Sequence, residues 1–127
     1  MEPNVATRLS RVAGKQTLIL IHYGRKSGNP YSVKIWFVVE GEKVYIGSAN
    51  MNHHWTRNVQ KTPRVRLSIG DENFDGSARF LTDRSEHERV MALMRRKYSL
   101  FRPIYGLEWI LNRFRDTRGS FEVTVSE

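Results

Sequence analysis

Arg25, Lys26 and Ser27 stand in a row between Gly24 and Gly28, and residues of these types at this spacing suit the binding of an anion. Flanking glycines let a backbone turn present its N–H groups, so two cations and a hydroxyl converge within a few ångströms. An arginine fork grips phosphate bidentately, a lysine adds point charge, and a serine hydroxyl completes the oxygen shell. The segment therefore reads as an anion cradle, set against the plainer alternative of a polar hairpin turn that is basic because the whole chain is basic. It is neither a Walker loop nor a dinucleotide fingerprint, since neither GxxxxGK nor GxGxxG occurs.

Other residues offer less. Lys34 sits among apolar neighbours and can hydrogen-bond an electron-rich ring or a substrate anion, or simply face solvent. Trp36 and Trp55 can each stack on a flat ring or fill the core. His53 and His54 adjoin on a turn and point apart with no carboxylate at ligand spacing, so no metal is expected. His22, inside an apolar run, reads as a satisfied core or rim histidine, and His87 as a position on an exposed helix face. Tyr23, Tyr31, Tyr45, Tyr98 and Tyr105 are unranked proton donors. No Ser-His-Asp arrangement, paired carboxylates or HExxH motif is present, so hard chemistry would belong to a cofactor.

The elements that must position these residues read mostly as strands. Residues 1–15 form a short arm or one amphipathic turn. Gln16 to Tyr23 is a continuous apolar strand, ended by the glycines and proline of the turn. Tyr31 to Glu40 is a second strand and Val44 to Ser48 a third, joined by a short hairpin turn at Glu40-Gly41-Glu42-Lys43. His54 to Lys61 forms two helical turns that Pro63 stops, Arg64 to Gly70 alternates as a half-exposed strand, and Phe74 to Thr82 pairs with it. Beyond Thr82 the period lengthens: Val90, Leu93, Met94 and Tyr98 mark a helix capped by Asp83 or Ser85, with Arg95, Arg96 and Lys97 at its negative end. Pro103 to Arg115 is a second helix or partly a loop, and Phe121 to Val125 a last strand. Six strands without strand–helix–strand alternation exclude a doubly wound parallel sheet and favour a small antiparallel barrel with helices outside, an α+β chain that is mainly β.

At 127 residues with 39% hydrophobic content, the chain fits a single domain over residues 1–127. It contains no cysteine, which excludes disulfide, thiolate-metal and thiol chemistry within it. No apolar run reaches membrane-spanning length and the N-terminus lacks a signal-peptide core, so a cytoplasmic location is expected. A net charge of +8 draws anions to the whole molecule. The basic residues are dispersed rather than clustered, which argues against a disordered nucleic-acid tail and leaves a polyanion-binding or nucleic-acid-binding barrel as an alternative of another class.

Taken together, GRKSG at 24–28, IWFVVEGEKVYIGSA at 35–49, WTRNVQKTPRVRLSIGD at 55–71 and GSARFLTD at 76–83 resemble the split-barrel flavin-binding superfamily. That superfamily includes pyridoxamine-phosphate oxidases and the deazaflavin-dependent nitroreductase-like proteins. The resemblance implies a six-stranded split barrel of the FMN-binding type and a homodimeric oxidoreductase. Hydride would pass between a deazaflavin (coenzyme F420) or FMN and a small-molecule acceptor. A deazaflavin's phosphate and acidic polyglutamyl tail would account for the positive charge. Carried onto this chain, Arg25, Lys26 and Ser27 would contact the phosphate or tail, with Lys34, Ile35 and Trp36 on the strand beside the ring. Ser48, Ala49, Asn50, Trp55, Arg57 and Asn58 would hold the rest. A non-catalytic barrel for a flavin or tetrapyrrole is the alternative within the same fold. Departures from the deazaflavin pattern fall at Tyr31, at Asn50-Met51-Asn52 and at Thr62-Pro63.

Overall fold

A computed structural model describes residues 4–48, 51–101, 108 and 119–126. Seven strands form one sheet: β1 (Leu18–Tyr23), β2 (Pro30–Ile35), β3 (Phe37–Glu40), β4 (Lys43–Ser48), β5 (Arg64–Ile69), β6 (Glu72–Phe80) and β7 (Gly119–Ser126). Their order is β2-β1-β5-β6-β7-β4-β3, and every neighbouring pair is antiparallel. The two end strands, β2 and β3, are consecutive in the chain and separated by Trp36 alone, so the sheet must curl until its edges meet there. That curl is the split barrel expected from the resemblance.

The strand count is seven rather than six because the run from Tyr31 to Glu40 breaks at Trp36. One peptide step carries the chain from one edge of the sheet to the other, which a continuous ladder does not allow. Side chains cover the polar groups freed at the break. The Phe37 N–H donates to the Tyr98 hydroxyl at 3.0 Å, and Lys97 Nζ donates to the Phe37 carbonyl at 2.9 Å. The Trp36 ring stacks on Tyr98 with centroids 4.0 Å apart.

Alternation places the apolar residues inside. On β5, Val65, Leu67 and Ile69 are buried while Arg64 and Arg66 are exposed. On β1 the inward parity runs Leu18, Leu20, His22. Residues 1–15 depart from the expected arm or single turn. Helix α1 (Val5–Val12) begins where Asn4 accepts from the Thr7 N–H at 2.8 Å, and its Val5, Leu9 and Val12 are buried in the main core. Spacings of three and four put these side chains on one helix face, which can then close the barrel interior. Helix α2 (His54–Lys61) follows β4, over the residues expected. Helix α3 (Arg84–Tyr98) covers the opposite face of the sheet and packs Val90, Met91, Met94 and Tyr98 against Val38, Tyr45 and Leu81. The segment Pro103 to Arg115, expected as a second helix or partly a loop, lies outside the described residues apart from position 108.

Candidate functional site

The turn between β1 and β2 is held by its own backbone. Gly28 N–H donates to the Gly24 carbonyl at 3.0 Å, and Gly24 N–H donates to the Asn29 carbonyl at 2.9 Å. Ser27 Oγ accepts from the Asn29 N–H at 3.1 Å. Gly28 has φ +74°, a conformation that L side chains rarely adopt. A Cβ on Gly24 would lie 2.7 Å from Ser27 Oγ and 3.1 Å from the Tyr31 ring, so a side chain there would have to displace the Ser27 hydroxyl.

Asn58 ties this turn to α2. Its Oδ1 accepts from the Arg25 backbone N–H at 3.2 Å and from Arg25 Nη1 at 2.8 Å. The same guanidinium nitrogen donates to the His54 carbonyl at 3.3 Å. With Oδ1 occupied by donors, Asn58 Nδ2 must donate, and it meets His22 Nδ1 at 3.0 Å. The imidazole is 4% exposed, and burial holds its pKa below the ordinary value. His22 is thereby a neutral ring whose Nδ1 accepts, with its proton on Nε2. Among the described residues no carboxylate lies within ion-pair distance of Arg25.

Around these groups lies a cleft of about 660 Å³, bordered by the turn, by His22, by Tyr31, Ser32 and Val33 of β2, and by His54, Trp55 and Asn58 at the start of α2. No side chain caps the N-terminus of α2. The sequence-nominated Arg25, Lys26, Ser27, Trp55 and Asn58 meet here. Lys34, Ile35 and Trp36 do not border the cleft: Lys34 is exposed and paired in register with Ile19, Ile35 packs against the main core, and Trp36 lies on Tyr98. Ser48 is buried opposite Gly119 in the β4–β7 ladder, and Arg57 is exposed on α2 away from the cleft lining. Ala49 and Asn50 lie outside the described residues. Sequence reasoning missed Tyr31, Ser32, Val33, His22 and His54. His22 was detectable, because its parity with Leu18 and Leu20 aims it into the barrel, and only a polar partner or an opening makes that tolerable for an imidazole.

The antiparallel split barrel is a fold that solved structures share. An F420-H2-dependent reductase is 23% identical over 86% of this chain and 94% of its own, with a TM-score of 0.66. A candidate 5-nitroimidazole antibiotic resistance protein from Bacteroides thetaiotaomicron is 17% identical over 95% of this chain and 80% of its own, with a TM-score of 0.71. The haem-storage protein of Vibrio cholerae is 20% identical over 98% and 92%, with a TM-score of 0.66.

Residues 1–103 match the F420H(2)-dependent quinone reductase family, and the chain belongs to it. Membership makes the deazaflavin F420 the favoured cofactor and deazaflavin-dependent oxidation–reduction the activity class. The cleft residues fit an anionic, flat group of this kind: among the described residues Arg25 meets no carboxylate, and aromatic Trp55 and Tyr31 line the same cleft.

Proposed function

We propose that this chain is a reductase in which a deazaflavin passes hydride to a small organic acceptor, acting as a cytoplasmic homodimer with residues 1–127 as one split-barrel domain. Arg25 carries the reading. A neutral amide and a backbone carbonyl fix its guanidinium at the border of the cleft, so its charge is left for an anion. Arg25, Lys26 and Ser27 then hold the phosphate or acidic tail, Asn58 orients them, and Trp55 borders the flat ring. Lys34, Ile35, Trp36, Ser48 and Arg57 do not border the cleft, so this reading gives the cofactor contacts to the residues that do. The reduced deazaflavin supplies the hydride when bound; the chain's residues bind it, orient it and exclude water from one side. A domain-swapped dimer of similar fold, 23% identical over 86% of this chain, supports the homodimer.

Titration of the purified protein with F420, followed by fluorescence, tests the reading. Saturable binding that weakens with salt is expected, and Arg25→Gln should weaken it by about tenfold or more, the scale of a charge-assisted hydrogen bond. Failure of both F420 and FMN to bind at low salt would overturn it. FMN is the alternative cofactor, having a phosphate but no acidic tail. A second reading is a non-catalytic tetrapyrrole barrel, favoured by His22 and His54 at the same cleft and by the fold shared with the haem-storage protein. Haemin binding with a histidine-ligated spectrum, and no affinity for F420, would decide for it.

A further inference from the structure

We propose that His22 is a ligand-binding residue whose imidazole, locked as the Nε2–H tautomer, donates a hydrogen bond to a carbonyl oxygen on the flat ring of the bound cofactor. The inference rests on the reading that a deazaflavin occupies this cleft. The lock is built from three residues on three elements. Arg25 has only donors to offer, so Asn58 must turn its oxygen towards Arg25 and its NH2 towards His22 Nδ1, which can only accept. Asn58 cannot rotate without breaking two hydrogen bonds to Arg25.

The remaining ring atom, Nε2–H, has no polar partner among the described residues. No side-chain nitrogen or oxygen among them is both fully enclosed and without a partner, so Nε2 reaches open space, and the open space His22 borders is the cleft. Nε2–H is thus a donor facing the cleft, where a ligand acceptor can take the place of water. The chemistry of the acceptor follows from the surroundings. Lys26 and the Arg25 guanidinium serve anions at the turn, whereas His22 lies on the strand leading into it. Its ring stacks on Tyr31 with centroids 5.9 Å apart and planes 27° from parallel. A neutral donor beside an aromatic face suits a ring carbonyl rather than a phosphate.

Two substitutions separate the two ring nitrogens. His22→Asn keeps an acceptor where Nδ1 meets Asn58 but removes the cleft donor, and His22→Gln keeps an amide donor near the position of Nε2. Each is titrated with F420 and with a deazaflavin lacking the phosphate and tail. His22→Asn should bind both ligands about five- to tenfold more weakly, the size of one hydrogen bond, with His22→Gln close to wild type. His22→Asn binding like wild type, His22→Gln as weak as His22→Asn, or a loss confined to the intact cofactor would each overturn the assignment. If wild type itself binds neither ligand, the deazaflavin reading falls and this inference with it, a result distinct from those three. Nitrogen-15 spectra of the wild-type imidazole need no variant to fold: an Nε2–H tautomer whose Nε2 signal moves on adding F420 is expected, and an Nδ1–H tautomer would overturn the lock.

Discussion

Asn58 holds the polar geometry of the cleft together, because one amide faces a cation on one side and an imidazole on the other. Changing it to Asp would set a carboxylate against Arg25 and consume the charge that the proposed ligand needs. Asn58→Asp should therefore lower F420 affinity by about tenfold and flatten its salt dependence. Titrations at two ionic strengths check this; unchanged affinity would mean that the ligand does not meet Arg25. Lys97 presents a different case. Its ammonium lies 3.6 Å above the Phe37 ring with the Phe37 carbonyl as acceptor, and burial lowers its pKa from 10.5 to about 8. The folded state binds fewer protons than the unfolded chain between those values, so the cost of burying this charge is full below pH 8 and fades as pH rises towards 10.5. Lys97→Met should gain stability over wild type at pH 7 and lose that advantage near pH 10, read from urea midpoints at both pH values.

Among the elements, α1 shows how a short segment becomes part of a core. Leu9 has no exposed surface and packs with Val5 and Val12 against the barrel interior. Truncating it to Ala should cost about 2–5 kcal/mol in denaturant unfolding, as for other buried leucines. A loss below 1 kcal/mol would mean that α1 is not seated in solution. On the opposite face, β7 meets β4 and β6 through Glu122, which is 9% exposed and bonded to Lys43 at 3.0 Å, with Arg79 at 3.3 Å. Burial pushes its carboxyl upward, but the hydrogen bonds and charges of Lys43 and Arg79 outweigh that and hold it below 4.5. Its stabilising contribution is thus present above the ordinary pKa and disappears as pH falls through the lowered one. Glu122→Gln should be less stable than wild type at pH 7, with the gap closing in acid, as thermal melts across that range would show.

For the whole molecule, charge and topology act together. A surplus of eight positive charges attracts anions from every direction, and the cleft sets Arg25 and Lys26 in one cavity with Tyr31 and Trp55. If the acidic tail meets this field, salt should weaken binding of F420 more steeply than binding of a deazaflavin without the tail. Equal salt slopes for the two would remove the general field from the account. The same topology explains why the cleft is open on one side: the sheet closes only through Trp36, and the β2 edge beyond that corner is left to border the cavity with Tyr31, Ser32 and Val33.

Alternation along β1 and β5, the turn residues at 24–30 and the helical period after Thr82 are local properties, and each was legible in the chain because strand, turn and helix preferences act over a few residues. The basic cradle was legible for the same reason, being contiguous. Trp36 read as a mid-strand residue, because nothing nearby signals that the two ends of a sheet must meet there. Lys34 and Trp36 were drawn towards the site by their neighbourhood in sequence, while His22 and His54 were passed over. Their positions depend on which strand lies beside which and on how α2 crosses the barrel mouth. Residue types and short-range spacing determined the fold class and the basic turn. Only the tertiary packing joined Arg25, Asn58 and His22 into one hydrogen-bonded line, since contacts 33 and 36 residues apart arise from closure of the barrel and leave no periodic trace.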